Sequence, residues 1–101
     1  VGAELYFDAI PVLPEAFDLA AAGVLPGGSK RNVEAMESRV EAEGLDEPRR
    51  AVLFDAQTSG GLLIAAPDPD RLLAALRSRG VEGAAVIGRL TDGDGRIEVT
   101  A

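Results

Sequence analysis

Phe54-Asp55-Ala56-Gln57-Thr58-Ser59-Gly60-Gly61-Leu62-Leu63 joins a charged stretch to an apolar one, and its reading decides the fold. Three polar side chains, Gln57, Thr58 and Ser59, precede paired glycines, and the apolar run Leu62-Leu63-Ile64-Ala65-Ala66 follows at once. Glycines lack Cβ atoms and leave the backbone open to close approach, which an ordinary strand start does not require. The apolar run has no polar face to give to water, so it predicts a strand placed centrally in a sheet. On the other side, Asp46 reads as an N-cap with Glu47 and Pro48 in the first turn, opening a short helix that delivers Phe54 and Asp55.

The same logic extends outward in both directions. Asp68-Pro69 starts a helix whose apolar stripe is Leu72, Leu73 and Leu76 and which stops at Gly80. Ala84 to Leu90 predicts a strand, Asp92-Gly93-Asp94-Gly95 a hairpin turn, and Ile97 and Val99 alternate in a last strand. Towards the amino terminus, Leu5, Phe7 and Ala9 alternate with Glu4, Tyr6 and Asp8, the period of a half-buried strand running from Ala3 through Ile10. Pro14 opens a helix ending near Gly23, with Phe17, Ala20 and Ala21 on one face. After the Pro26-Gly27-Gly28 turn, Asn32 is placed as the cap of a helix carrying Val33, Met36 and Val40 on one side and ending at Gly44. The order β-α-α-α-β-α-β-β predicts an α+β fold: one mixed sheet of about four strands with helices over at least one face.

Composition narrows the chemistry. The 101 residues fit one domain, and 47% hydrophobic with 27% charged residues is ordinary globular usage. A net charge of −7 with no basic stripe argues against nucleic-acid binding. The apolar runs fall far short of the roughly 20 residues that span a bilayer, and no signal peptide is visible, so a cytoplasmic setting without membrane contact is expected. The chain has neither cysteine nor histidine. A disulfide, a thiolate nucleophile, a zinc–thiolate site and a Ser-His-Asp arrangement are therefore excluded within it. Ser, Thr, Asp, Glu, Arg and the only lysine, Lys30, can hold anions or hard metals but are poor for covalent chemistry.

Two stretches carry candidate binding residues. The Gln57-Thr58-Ser59-Gly60-Gly61 run reads either as a tight connection whose hydroxyls satisfy local backbone or as a loop presenting amides and hydroxyls to an anion. Gly27-Gly28-Ser29-Lys30-Arg31-Asn32 approaches a phosphate-binding loop, but Ser29 precedes Lys30 and no buried strand leads into it, so the Walker pattern is rejected. What remains there is a solvated basic turn, or a weak phosphate contact beside a helix N-terminus. Asp92, Asp94 and Glu98 lack the spacing of a calcium loop, and the Glu-rich stretch from Glu34 to Glu47 reads as a solvated helix face.

Taken together, Ile10-Pro11-Val12-Leu13-Pro14, Pro26-Gly27-Gly28-Ser29-Lys30-Arg31-Asn32, the Leu53-to-Leu63 run with Gln-Thr-Ser-Gly-Gly at its centre, and Ala85-Val86-Ile87-Gly88 resemble the carboxy-terminal domain of selenophosphate synthetases (selenide, water dikinases). Ala56 stands where that family usually has proline, and Ser29 where threonine is common. The resemblance implies the fold of aminoimidazole ribonucleotide (AIR) synthetase relatives and an enzyme making selenophosphate, AMP and phosphate from selenide, ATP and water. It places the reactive residue, its lysine and the aspartates for ATP and Mg²⁺ in an amino-terminal ATP-binding domain, so no catalytic or metal-ligating residue and no bound cofactor is expected in this chain. Residues 1–101 are then expected to be one domain of a longer polypeptide, an expectation shared by the strand-like start at Val1. Alone it is expected to be inactive, and its uncovered surface is expected to favour homo-oligomers. Gln57, Thr58, Ser59, Gly60 and Gly61, with Ser29, Lys30 and Asn32, are expected to line the substrate cleft. The rival readings are a thiamine monophosphate kinase or hydrogenase maturation type of the same superfamily, and a free-standing binding or dimerisation module.

Overall fold

In the computed structural model, which describes residues 1–101, four strands and four helices follow one another along the chain. Strand β1 spans Gly2–Tyr6 and turns directly into a 3₁₀ turn at Phe7–Ala9. Helix α1 is Pro14–Ala21, α2 is Gly27–Met36, β2 is Val40–Glu41 and α3 is Glu47–Leu53. Helix α4 is Pro69–Ser78, β3 is Gly88–Thr91 and β4 is Ile97–Thr100.

Local chemistry explains most of these boundaries. Asp46 Oδ1 accepts from Arg49 N at 3.0 Å and Asp68 Oδ1 from Arg71 N at 3.1 Å, so both carboxylates satisfy an amide that the helix leaves free. Proline stands in the first turn of α1, α3 and α4, where its missing N–H costs nothing. Past the ends of α1 and α4, Gly23 and Gly80 take φ of 78° and 84°, the left-handed conformation that stops a helix.

The sheet order is β2-β4-β1-β3. Strand β1 lies parallel to β4 and antiparallel to β3, and β2 is parallel to β4. The mixed four-stranded α+β architecture predicted from the sequence is present, but Asp92–Gly95 does not close a hairpin between neighbours. It carries the chain over the start of β1, which lies between β3 and β4. That crossing is tight: a Cβ on Gly2 would stand 2.8 Å from the Arg96 carbonyl oxygen and 3.2 Å from Gly93 Cα.

One face of the sheet holds the core. Phe7, Ala42 and Val99 form its buried centre, joined by Leu5, Val40 and Ile97 from the strands and by Phe17, Val52 and Leu53 from α1 and α3. The Phe7 and Phe17 rings meet edge-on, 6.1 Å between centroids at 61°, the arrangement their quadrupoles prefer. Apart from these three, Phe54 is the only buried hydrophobic residue, which makes the core small for the chain's length. The opposite face is charged. Glu41, Glu98 and Glu4 stand side by side across β2, β4 and β1, with Arg96 on Glu41 and Arg89 on Glu4.

Arg89 grips Glu4 with two hydrogen bonds, Nε to Oε2 at 2.7 Å and Nη2 to Oε1 at 3.0 Å. The hydrogen bond and charge of Arg89 hold the Glu4 carboxyl below its usual range, and Glu4 raises Arg89 in return. A lowered carboxylate contributes stability above its unfolded-state pKa and loses it as pH falls through the folded value. Glu4→Gln is therefore expected to shallow the loss of stability on acidification from about pH 6 to about pH 3. Urea midpoints in low salt check this. Arg89 is 66% exposed, so the difference should shrink as salt is added.

Several sequence-based expectations are corrected. The first strand ends at Tyr6, short of Ile10, because the chain tightens into the 3₁₀ turn that buries Phe7. Asn32 does not cap α2, which already begins at Gly27 after Pro26. That helix stops at Met36, so the stretch read as continuing to Gly44 contains β2, held by β4. Strand β3 begins at Gly88, later than Ala84. Leu62–Ala66 is not a central strand: Leu62 is 90% exposed and Leu63 79% exposed, and no backbone–backbone hydrogen bond ties Gln57–Pro67 to the rest of the chain. This open stretch accompanies a radius of gyration of 14.4 Å, above the about 13 Å typical for a hundred residues.

Candidate functional site

Helix α3 ends in a buried anchor. Phe54 packs inward, and the Arg50 guanidinium carbon lies 5.4 Å from its ring centroid, covering the ring with a cation. The chain then leaves α3 through Asp55 and Ala56 into the exposed Gln57–Gly61 turn.

Helix α2 meets the root of that turn. Ser29 Oγ accepts from Ala56 N at 3.2 Å, and Asn32 Nδ2 donates to the Phe54 carbonyl at 3.0 Å. Ser29 is buried, and Gly28 beside it makes the approach possible: a Cβ there would stand 3.0 Å from Ala56 Cβ. Two of the predicted site residues are thus brought against the turn, although through its backbone. Lys30 is not. Its side chain points to solvent and lies 4.0 Å from Glu34 one helical turn on, a pairing worth little in water.

Within the turn, the Gln57 side chain folds back over Gly60, whose added Cβ would stand 2.6 Å from Gln57 Oε1. Thr58, Ser59 and Gly61 are exposed, and a Cβ on Gly61 would meet nothing. A cleft of about 250 Å³ lies between α2, α3 and the sheet. Leu5, Met36, Leu53 and Val99 make it apolar, with Asn32 and Asp55 as its polar members. This cleft suits hydrocarbon, whereas the exposed turn offers two hydroxyls, a carboxamide and free backbone amides to a polar or anionic group.

The family model described as AIR synthase related protein, C-terminal domain, matches residues 1–100. The chain belongs to that family. Among curated relatives of this AIR synthase-related domain, the selenide, water dikinase of Burkholderia pseudomallei (strain K96243) is 44% identical over 101 residues, covering 97% of this chain and 28% of the relative. That of Burkholderia orbicola (strain MC0-3) is 42% identical over 100 residues, covering 96% of this chain and 28% of the relative. The one from Shewanella baltica (strain OS155) is 48% identical over 63 residues, 62% of this chain and 17% of the relative. The chain therefore spans about 28% of the length of the Burkholderia proteins it matches. The resemblance drawn from the Gln-Thr-Ser-Gly-Gly run stands.

The AIR synthase-related domain also uses, at the root of the turn, two residues that were not among the site residues expected from the sequence. Phe54 supplies the carbonyl for Asn32, and Ala56 supplies an N–H that proline would lack. The available signal was the spacing of Ser29 and Asn32, which places both on one face of a helix once that helix is known to begin at Gly27. No helix of the domain is long and apolar enough to cross a membrane.

Proposed function

We propose that this domain is part of a selenide, water dikinase, an enzyme that makes selenophosphate, AMP and phosphate from selenide, ATP and water. The observation that carries this reading is the 42–48% identity to proteins of that name, together with the Gln-Thr-Ser-Gly-Gly run that marks the resemblance. The domain closes the substrate cleft and is inactive alone. Thr58, Ser59, Gly60 and Gly61 line the cleft with Gln57, and Ser29, Lys30 and Asn32 flank it. No three acidic side chains converge in the domain. As the family resemblance implies, ATP and Mg²⁺ belong to the amino-terminal ATP-binding domain, which is the main partner of this one, in a cytoplasmic enzyme without nucleic-acid or membrane contacts.

The exposed apolar side chains of Leu62, Leu63 and Ile64 follow directly on the turn and support a covered surface in the whole protein. Uncovered, the same side chains favour association of two copies. Selenide-dependent ATP consumption by the full-length enzyme tests the reading. With Ser59→Ala and Gly60→Val combined, turnover is expected to fall at least about tenfold, the order lost with misplaced contacts near reacting groups. Turnover at the unsubstituted rate would remove the turn from the cleft.

A further inference from the structure

We propose that Ser29 and Asn32 are positioning residues, which fix the direction in which the Gln57–Gly61 turn leaves α3 and touch no substrate themselves. This rests on the reading that the turn lines the substrate cleft. The side chains project from one face of α2 and take opposite halves of the backbone at the turn's root. Ser29 Oγ accepts from the Ala56 N–H, and Asn32 Nδ2 donates to the Phe54 carbonyl. A single hydrogen bond leaves a pivot, whereas two at neighbouring peptides oppose rotation about either.

Their place in the chain gives these bonds weight. Asp55 N bonds the Val52 carbonyl at 3.1 Å, the last backbone–backbone bond of the α3 end. Beyond Ala56 no backbone–backbone hydrogen bond holds the chain through Pro67, and it is secured again by the Asp68 cap. The orientation of Thr58, Ser59 and the paired glycines is therefore inherited from the root. Burial of Ser29 at 5% exposure keeps water from replacing its hydroxyl on Ala56 N. The close approach of Gly28 to Ala56 brings the hydroxyl within reach. Ala56 matters as well: proline here would gain a fixed φ but lose the donor.

The test uses the full-length enzyme with Ser29→Ala, Ser29→Thr and Asn32→Asp, read by amide hydrogen exchange and by selenide-dependent ATP turnover. Ser29→Ala is expected to speed exchange at Ala56 by about tenfold, the order set by one net hydrogen bond, with α3 amides unchanged. Ser29→Thr keeps the hydroxyl and should restore protection. Asn32→Asp replaces a donor with an acceptor facing a carbonyl and should loosen the root further. Turnover should follow protection across the three variants, falling about tenfold in kcat for Ser29→Ala and recovering in Ser29→Thr. Unchanged exchange at Ala56 in Ser29→Ala overturns the latch, whatever the turnover. Faster exchange with unchanged turnover overturns its positioning role. If the unsubstituted enzyme lacks selenide-dependent turnover while Ala56 exchange still responds, the proposed reaction fails and the latch stands.

Discussion

Replacing Phe7 with alanine is expected to lower the stability of the domain by about 3–5 kcal/mol. Phe7 is 3% exposed, sits with Ala42 and Val99 at the centre of the core, and meets Phe17 edge-on. Only four hydrophobic residues are buried in the whole chain, so little else can close over the space that its ring leaves. Domains commonly hold about 5–15 kcal/mol in total, and a loss of this size takes up much of that. Urea unfolding followed by circular dichroism measures it. The comparison is Leu62→Ala: with 90% of Leu62 already exposed, its removal should change the stability by less than about 0.5 kcal/mol. Equal costs at the two positions would mean that Leu62 is packed in solution.

Gly88→Ala is the second large effect, expected at about 2–4 kcal/mol. Its cause is steric and lies in the sheet. A Cβ at position 88 would run into the Glu4 carbonyl oxygen and stand 3.0 Å from Leu5 Cα, both backbone atoms of the neighbouring strand. Backbone cannot rotate aside as a side chain does, so β1 and β3 must separate where Leu5 faces Gly88. Gly61→Ala is the control, since a Cβ there meets nothing within 4 Å. Thermal unfolding of both variants should show a large fall for the first and almost none for the second; similar melting points would contradict the register.

The same two regions show what a sequence discloses and what it withholds. Alternation placed Leu5 and Phe7 inward, and the carboxylates at Asp46 and Asp68 marked helix starts, because those signals are local and act through nearest neighbours. Pairing partners are not local. Asp92–Gly95 has the composition of a hairpin, yet its strands flank β1, and nothing in the turn itself records the strand between them. The two-residue β2 hid inside a Glu-rich stretch because its identity comes from pairing with β4. Leu62–Ala66 misled for a related reason: a short apolar run reports a preference for burial without saying what provides it.

The candidate site divides along the same line. Gln-Thr-Ser-Gly-Gly stood out by composition, and the structure leaves it exposed. Ser29, Lys30 and Asn32 looked equivalent in the sequence because all three are polar and adjacent to a helix start. Position on α2 separates them: Ser29 and Asn32 face the root of the turn, and Lys30 faces solvent. That distinction depends on where the helix begins, and the proline before Gly27 was a better guide than the asparagine within it.

Under the proposed function, this domain completes a selenide, water dikinase whose chemistry lies in the rest of the protein. Selenide-dependent ATP consumption by the full-length enzyme, by the enzyme lacking residues 1–101 of this sequence, and by that truncated enzyme with the domain added back tests it most directly. Turnover is expected in the full-length enzyme, with its loss on removal of the domain and recovery when the domain is returned. Turnover by the domain alone, or full turnover by the truncated enzyme, would contradict it.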